Sequence, residues 1–167
     1  TPELNDLQID STIEKVKRAE RVGLFVGQGA LHAAEKVLTL AEWLTAPVMT
    51  TLSGRGCLPE NHPLSLGFGW KEHGTEQVNQ ILASCDLVLV IGAKLSEQGT
   101  HSYKIRFTNP VIHVDSSADV LSANQNSCLA ICSDSDSFLN SLLQRKTEYG
   151  PRKDDGLIRL LDEMRDR

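Results

Sequence analysis

The sequence is short of basic side chains: 17 Lys and Arg stand against 22 Asp and Glu, a formal net charge of −5. Neutralising nucleic-acid phosphates needs clustered Lys and Arg, so nucleic acid is excluded as a main partner. The longest basic cluster, Lys15-Val16-Lys17-Arg18, lies beside Glu14 and Glu20 and reads as a solvated helix face. No apolar run approaches the roughly 20 residues that span a bilayer, and the opening residues show no basic-then-apolar signal. The four cysteines, Cys57, Cys85, Cys128 and Cys132, form no CxxC pair and no zinc-type spacing. Cys128 and Cys132 fall in an apolar segment and read as small core residues. The expected setting is reducing and cytoplasmic, with no membrane partner.

Catalytic signatures are scarce too. There is no Walker sequence, and Ser53 lacks the GxSxG context of a nucleophile elbow. His32, His62, His73, His101 and His113 are scattered, with no partner at metal-ligand or catalytic spacing. His113 falls within an apolar run and reads as a packed core residue. Glu72 and Glu76 are four apart but lack a convergent partner. Nothing assembles a nucleophile, a base and an oxyanion site, so no catalytic or metal residue is expected. Internal repeats and low-complexity segments are absent as well.

What is there is a chain of 167 residues, 40% apolar, enough for one domain with a core of its own. It opens on Thr1-Pro2, not Met, and residues 1–8 read as a linker, which fits a piece of something longer. Helical periodicity starts at Ile9, Ile13 and Val16, with Asp10 or Ser11 as a candidate cap. VGLFV at 22–26 then reads as a strand buried on both faces, as in parallel sheets covered by helices. A helix over 31–44, a β-branched strand at 48–51 and a helix over 77–84 follow. DLVLVI at 86–91 is the strongest strand, VIHV at 111–114 the next, and CLAIC at 128–132 the last, before a helix over 136–144. A weak sixth strand lies at 64–66, inside an otherwise loop-like stretch over 52–74. This alternation predicts an α/β fold: a doubly wound, Rossmann-like, mainly parallel sheet of five or six strands with helices on both faces. The expected strand order is 3-2-1-4-5-6. The domain is expected over 9–146, and 147–167 as a linker with a short amphipathic helix carrying Leu157, Leu160, Leu161 and Met164.

Ligands of such sheets bind at the carboxyl ends of the strands, near the point where strand order reverses. Gly27-Gln28-Gly29-Ala30 follows the first strand there. Two glycines allow a phosphate to approach backbone N–H groups, and equally suit a tight turn needing small residues. As a dinucleotide fingerprint the turn is incomplete: His32 stands where a third glycine belongs, and no acid follows about 20 residues on. Gly92-Ala93-Lys94 follows DLVLVI, with Lys94 able to meet a phosphate. Asp115 and Ser116 follow VIHV, where the acid either accepts from a ribose or adenine group or caps the next element.

Several segments together resemble one family. PVMTTLSGRGCLPENHPLSLGFG, over 47–69, is similar to the central-domain pattern of acetolactate synthase-like, thiamine-diphosphate-dependent enzymes, with Gly54-Arg55-Gly56 in place of a Gly-Lys-Gly turn. LFVGQGALHAAEKVLTLAEWLTAP, SCDLVLVIGAKLSE and VIHVDSSADVL match the family's further segments in order. The resemblance implies three α/β domains in the whole enzyme, a homo-oligomer when complete, and thiamine diphosphate and Mg²⁺ held mainly by the flanking catalytic domains. No Gly-Asp-Gly occurs in this chain, so it implies a scaffold domain that is inactive alone. It also implies a parent carboligase (a transferase) or 2-oxo acid decarboxylase (a lyase). Family members bind FAD, another adenine nucleotide or CoA in this domain, and in many the site is vestigial. The positions concerned are Gly27, Gln28, Gly29, Ala30, Thr51, Leu52, Gly92, Ala93, Lys94, Asp115 and Ser116. The family's Arg-Phe-Asp-Asp-Arg run is Lys94-Leu95-Ser96-Glu97-Gln98 here, losing both arginines. Arg55 and His62 are expected at an interface with neighbouring domains. The competing expectation is a free-standing nucleotide- or flavin-binding module of the same sheet type outside this family.

Overall fold

The computed structural model describes residues 3–69, 71–121 and 123–166, and of residues 71–73 the backbone alone. Thr1, Pro2 and the side chains of Glu72 and His73 lie outside the described residues.

The first helix, α1 (Asp6–Arg18), starts earlier than the apolar periodicity suggests. Asn5, not Asp10 or Ser11, caps it: its side chain accepts from Gln8 N at 2.9 Å, and the Gln8 side chain reaches back to Asn5 N. This reciprocal box satisfies two otherwise orphaned amides, whereas a cap at residue 10 would forfeit a full turn. Ile9, Ile13 and Val16 form its buried stripe. Lys15, Lys17 and Arg18 sit in its last turn, where positive charge complements the helix dipole.

Six strands follow: β1 (Val22–Val26), β2 (Val48–Thr50), β3 (Ser65–Gly67), β4 (Leu87–Ile91), β5 (Val111–Asp115) and β6 (Leu129–Cys132). All neighbours pair in parallel, in the order β3-β2-β1-β4-β5-β6, so the weak 64–66 segment is a true edge strand. Every residue of β1, β4 and β5 is buried, which is why these runs are nearly unbroken in apolar character. At the outer strand β6 burial falls away: Cys128, just before it, is exposed and Cys132 is half-buried. Reading these two cysteines as core residues is corrected accordingly, since an outermost strand has a neighbour on one side only.

The helices are α2 (Ala34–Leu44), α3 (Lys71–Ser84), α4 (Ser135–Gln144) and α5 (Asp155–Arg165). The turn after β1 is a 3₁₀ segment, Gln28–Ala33, so the α-helix expected from residue 31 starts at Ala34. α3 starts well before residue 77 and shortens the loop expected over 52–74. α1 and α2 both pack on α4. Connection β1–α2–β2 steps one way along the sheet and β3–α3–β4 steps back, so right-handed crossovers put α2 and α3 on opposite faces.

The C-terminal segment is wrapped onto this body. Leu157, Leu161 and Met164 of α5 are buried, and Gln77 on α3 donates to Met164 O at 3.1 Å. Arg152 donates to the carbonyls of Val16 and Ala19 at the end of α1. Arg21 meets Asp154 at 2.6 Å, and Asp154 caps α5 through Leu157 N at 2.8 Å. At the β3 edge, Arg165 donates to the carbonyls of His62, Pro63 and Ser65.

Candidate functional site

Val26 of β1 pairs with Ile91 of β4, so the two chains leave the sheet side by side. β1 has β2 on its other flank and β4 has β5, so this is the point where strand order reverses. The turns beyond it touch backbone to backbone. Gly27 N donates to Ile91 O and Gly29 N to Gly92 O, both at 3.0 Å. A Cβ on Gly27 would fall 2.3 Å from Gly92 O and 2.6 Å from Ala93 Cα. Gly92 has φ +61°, and a Cβ there would lie 2.6 Å from Ala30 N. The tight-turn reading of these glycines therefore has a direct physical basis, and the Gly29 amide is already committed to protein. His113 fixes the second turn by donating from Nε2 to Ala93 O at 2.8 Å.

Above these turns lies a cleft of about 1180 Å³. Gly27, Gln28, Gly29, Thr51, Leu52, Gly92, Ala93, Lys94, Asp115 and Ser116 all line it. Ala30, the remaining residue of the expected set, does not: it is fully buried and its N–H is given to Gly27 O at 3.0 Å. Thr51 holds the cleft's β2 side, its hydroxyl accepting from Gly54 N at 3.1 Å to start a 3₁₀ turn, Leu52–Gly54. Leu52 is 54% exposed, an apolar wall without a protein cover among the described residues. Asp115 accepts from Ser117 N at 2.9 Å, and the chain then forms turns, so this carboxylate caps a turn and no helix.

Sequence reasoning missed one whole wall. Between β4 and β5 the chain has no regular helix, and Gly99, His101, Ser102 and Lys104 from this stretch line the cleft, as do Ser53 and Thr75. Leu95, Ser96, Glu97 and Gln98 belong to it as well, although the sequence singled them out only for lacking arginines. Lys104 supplies a second cation beside Lys94, and Glu97 and Asp115 supply anions. No periodicity marks this stretch, and its only signal is composition: Gly, Ser, Thr and His without an apolar stripe.

Arg55 and His62, expected at an interface, both have partners inside the chain. Arg55 pairs with Glu60 at 2.6 Å and lies over the Phe68 ring at 4.7 Å. His62 meets Glu42 at 3.2 Å. Among the described residues no group of three or more His, Cys, Asp or Glu side chains is placed to hold a metal ion. No described helix is long and apolar enough to cross a membrane.

Comparison with known proteins agrees with this architecture. Residues 9–142 match the family described as "Thiamine pyrophosphate enzyme, central domain". A probable acetolactate synthase large subunit of Methanocaldococcus jannaschii is 35% identical over 142 residues, 82% of this chain and 24% of that protein. Acetolactate synthase isozyme 1 large subunit of Escherichia coli K12 is 32% identical over 143 residues, 85% of this chain and 25% of its own length. A probable 2-ketoarginine decarboxylase of Pseudomonas aeruginosa is 30% identical over 138 residues, 79% of this chain and 23% of that enzyme. The chain thus spans about a quarter of the length of the curated relatives it matches. These matches favour the family over a free-standing module of similar sheet type. With its parallel sheet in the order β3-β2-β1-β4-β5-β6, this chain belongs to the family of thiamine pyrophosphate enzyme central domains.

Proposed function

We propose that this chain is the non-catalytic central domain of a thiamine-diphosphate-dependent carboligase or 2-oxo acid decarboxylase, and that its strand-end cleft is a nucleotide site. Thiamine diphosphate and Mg²⁺ are bound by flanking catalytic domains of a cytoplasmic, homo-oligomeric parent enzyme. The thiamine ring supplies the carbanion chemistry there, and this domain supplies spacing and a surface for its neighbours.

One observation carries the nucleotide reading: the residues the sequence singled out at the ends of four strands, all but Ala30, line a single cleft of about 1180 Å³. That is ample for an adenine nucleotide, FAD or the nucleotide end of CoA. Asp115 is the acceptor for ribose or adenine donors, and Lys94 meets the phosphates. The departure at Lys94 and Gln98 removes the bidentate guanidinium contacts a flavin dinucleotide would use, which favours a simple adenine nucleotide over FAD.

Two measurements test this. Supplied with pyruvate, thiamine diphosphate and Mg²⁺, the chain alone is expected to give no decarboxylation or carboligation; measured turnover overturns the non-catalytic assignment. Calorimetric titration is expected to show saturable ADP binding, and the purified protein no flavin absorbance. Absence of binding by ADP, adenosine and FAD at millimolar concentration would make the cleft vestigial.

A further inference from the structure

The chain between β4 and β5 holds a backbone conformation that its side chains resist. Among the described residues five non-glycine positions have positive φ, and four fall here: Leu95 (52°), His101 (51°), Ser102 (56°) and Tyr103 (60°). The last three are consecutive, and Lys104 N donates to His101 O at 3.2 Å, so they close one left-handed turn. Gly99, close by, is not among the residues with positive φ. An ordinary L-residue occupies the left-handed region about five- to thirtyfold less readily than the right-handed one. His tolerates it better than most, but three residues in succession still set a bias on the order of a hundredfold or more toward leaving the turn.

Burial does not hold the turn. Thr100 and Ile105 on either side of it are buried, while Ser102, Tyr103 and Lys104 are exposed. Hydrogen bonds hold it instead. Asn79, on α3, brackets the exit: its Nδ2 donates to Lys104 O and its Oδ1 accepts from Arg106 N, both at 2.8 Å and both at the surface. One helical turn earlier, the Thr75 hydroxyl hydrogen-bonds His101 Nδ1 at 3.1 Å. Within the stretch, Ser102 N donates to Glu97 O at 2.7 Å and Ile105 N to Thr100 O at 3.1 Å. Once water has competed, each such bond favours the bonded state by roughly two- to tenfold. Together they match the backbone bias without dwarfing it, which is the condition for a minor second conformation.

The turn is also part of a wall of the cleft. Gly99, His101, Ser102 and Lys104 line it, and a Cβ on Gly99 would meet the Thr51 methyl group, at the end of β2, at 3.6 Å. We propose that residues 101–104 form a two-state gate of the cleft, with Asn79 of α3 as its latch. Latched, the turn is left-handed. In the open state Asn79 releases Lys104 O and Arg106 N, His101, Ser102 and Tyr103 pass to right-handed backbone, and the wall moves off the rim. The buried anchors Thr100 and Ile105 confine the change to this segment. The gate depends on no particular ligand and so stands apart from the nucleotide site proposed above.

Native-state amide hydrogen exchange followed by NMR tests the two states, with Val88 N, which donates to Pro110 O inside the sheet at 3.0 Å, as the reference amide. The Ser102 and Lys104 amides are expected to exchange at least about tenfold faster than Val88, through a local opening insensitive to low urea. N79A, which removes two of the bonds, is expected to speed them about tenfold further. S102N is expected to slow them severalfold, because Asn accepts left-handed backbone. Turn amides that exchange in step with Val88, that keep the native rate in N79A, or that are not slowed by S102N each overturn the proposal. Double electron–electron resonance between spin labels at K104C and S116C, with exposed Cys128 and half-buried Cys132 replaced by Ser, reads the cleft itself. N79A is expected to add a longer distance component that S102N removes. A distribution unchanged by N79A would mean that the turn melts in place, and the gate falls.

Discussion

His113 lies at the centre of β5 with one ring nitrogen bonded to Ala93 O and the other, Nδ1, buried without a partner among the described residues. Because a carbonyl only accepts, Nε2 carries a hydrogen, and burial of the ring disfavours a second proton on Nδ1. Burial holds its pKa below the ordinary 6.5, only partly offset by the bond to Ala93 and by Asp115. The unfolded chain therefore takes up a proton first as the pH falls, and stability present above pH 6.5 is lost on going below it. Asp134 and Asp154, whose pKa values are lowered from 3.8, act in a separate and more acid window. Denaturant midpoints are expected to fall as the pH drops below 6.5 in the native protein. H113Q, which keeps a donor for Ala93 O, is expected to show a flatter profile there; an unchanged slope would show that His113 is not its source. The burial of His113 was legible beforehand, as a histidine inside an apolar run, and it is 1% exposed. VIHV announces a buried histidine, but its bond partner comes from a turn twenty residues earlier.

At the scale of elements, the paired turns after β1 and β4 behave as one unit. A Cβ on Gly27 meets backbone atoms of Gly92 and Ala93, which have no flexible end to move aside. Gly67 offers the contrast: its φ is +63°, yet nothing lies within 4 Å of an added Cβ. Gly27→Ala is expected to cost about 2–3 kcal/mol as overpacking, and Gly67→Ala about 1 kcal/mol as backbone strain alone. For a chain of this length that separates the two melting temperatures by roughly 3–8 °C, readable by scanning calorimetry. Equal effects would mean that the two turns part easily. The strands were legible because two-sided burial writes itself as continuous apolar runs. The wall between β4 and β5 was not, because left-handed backbone is ordinarily marked by glycine, and here His101, Ser102 and Tyr103 adopt it under restraint from α3. Similarly, the cleft's glycines were legible as a turn, while their mutual contact needed the pairing of β1 with β4.

At the scale of the whole molecule, the family match ends at residue 142, but the fold does not. Tyr149 donates to Leu142 O at 2.7 Å, Trp43 Nε1 to Lys146 O at 2.8 Å, and α5 buries three apolar side chains. Burying Leu157, Leu161 and Met164 is worth roughly 2 kcal/mol each, against a typical total stability of about 5–15 kcal/mol. A chain stopped before Gly150 is therefore expected to lose most of its cooperative urea transition, followed by far-UV circular dichroism. A native-like midpoint would show that α5 is an appendage. The sequence marked this helix by its amphipathic spacing but not its docking, which depends on Arg152, Asp154 and Arg165 reaching segments distant in the chain.

Arg165 at the β3 edge has a consequence for how the protein fails. Its guanidinium occupies main-chain carbonyls of the outermost strand and the loop leading into it, the groups another chain would otherwise recruit. α5 is thus also a gatekeeper against intermolecular strand pairing. A molecule nicked by a protease ahead of α5 is left with a bare, pairing-competent edge, so its fate is aggregation and not a soluble, refoldable state.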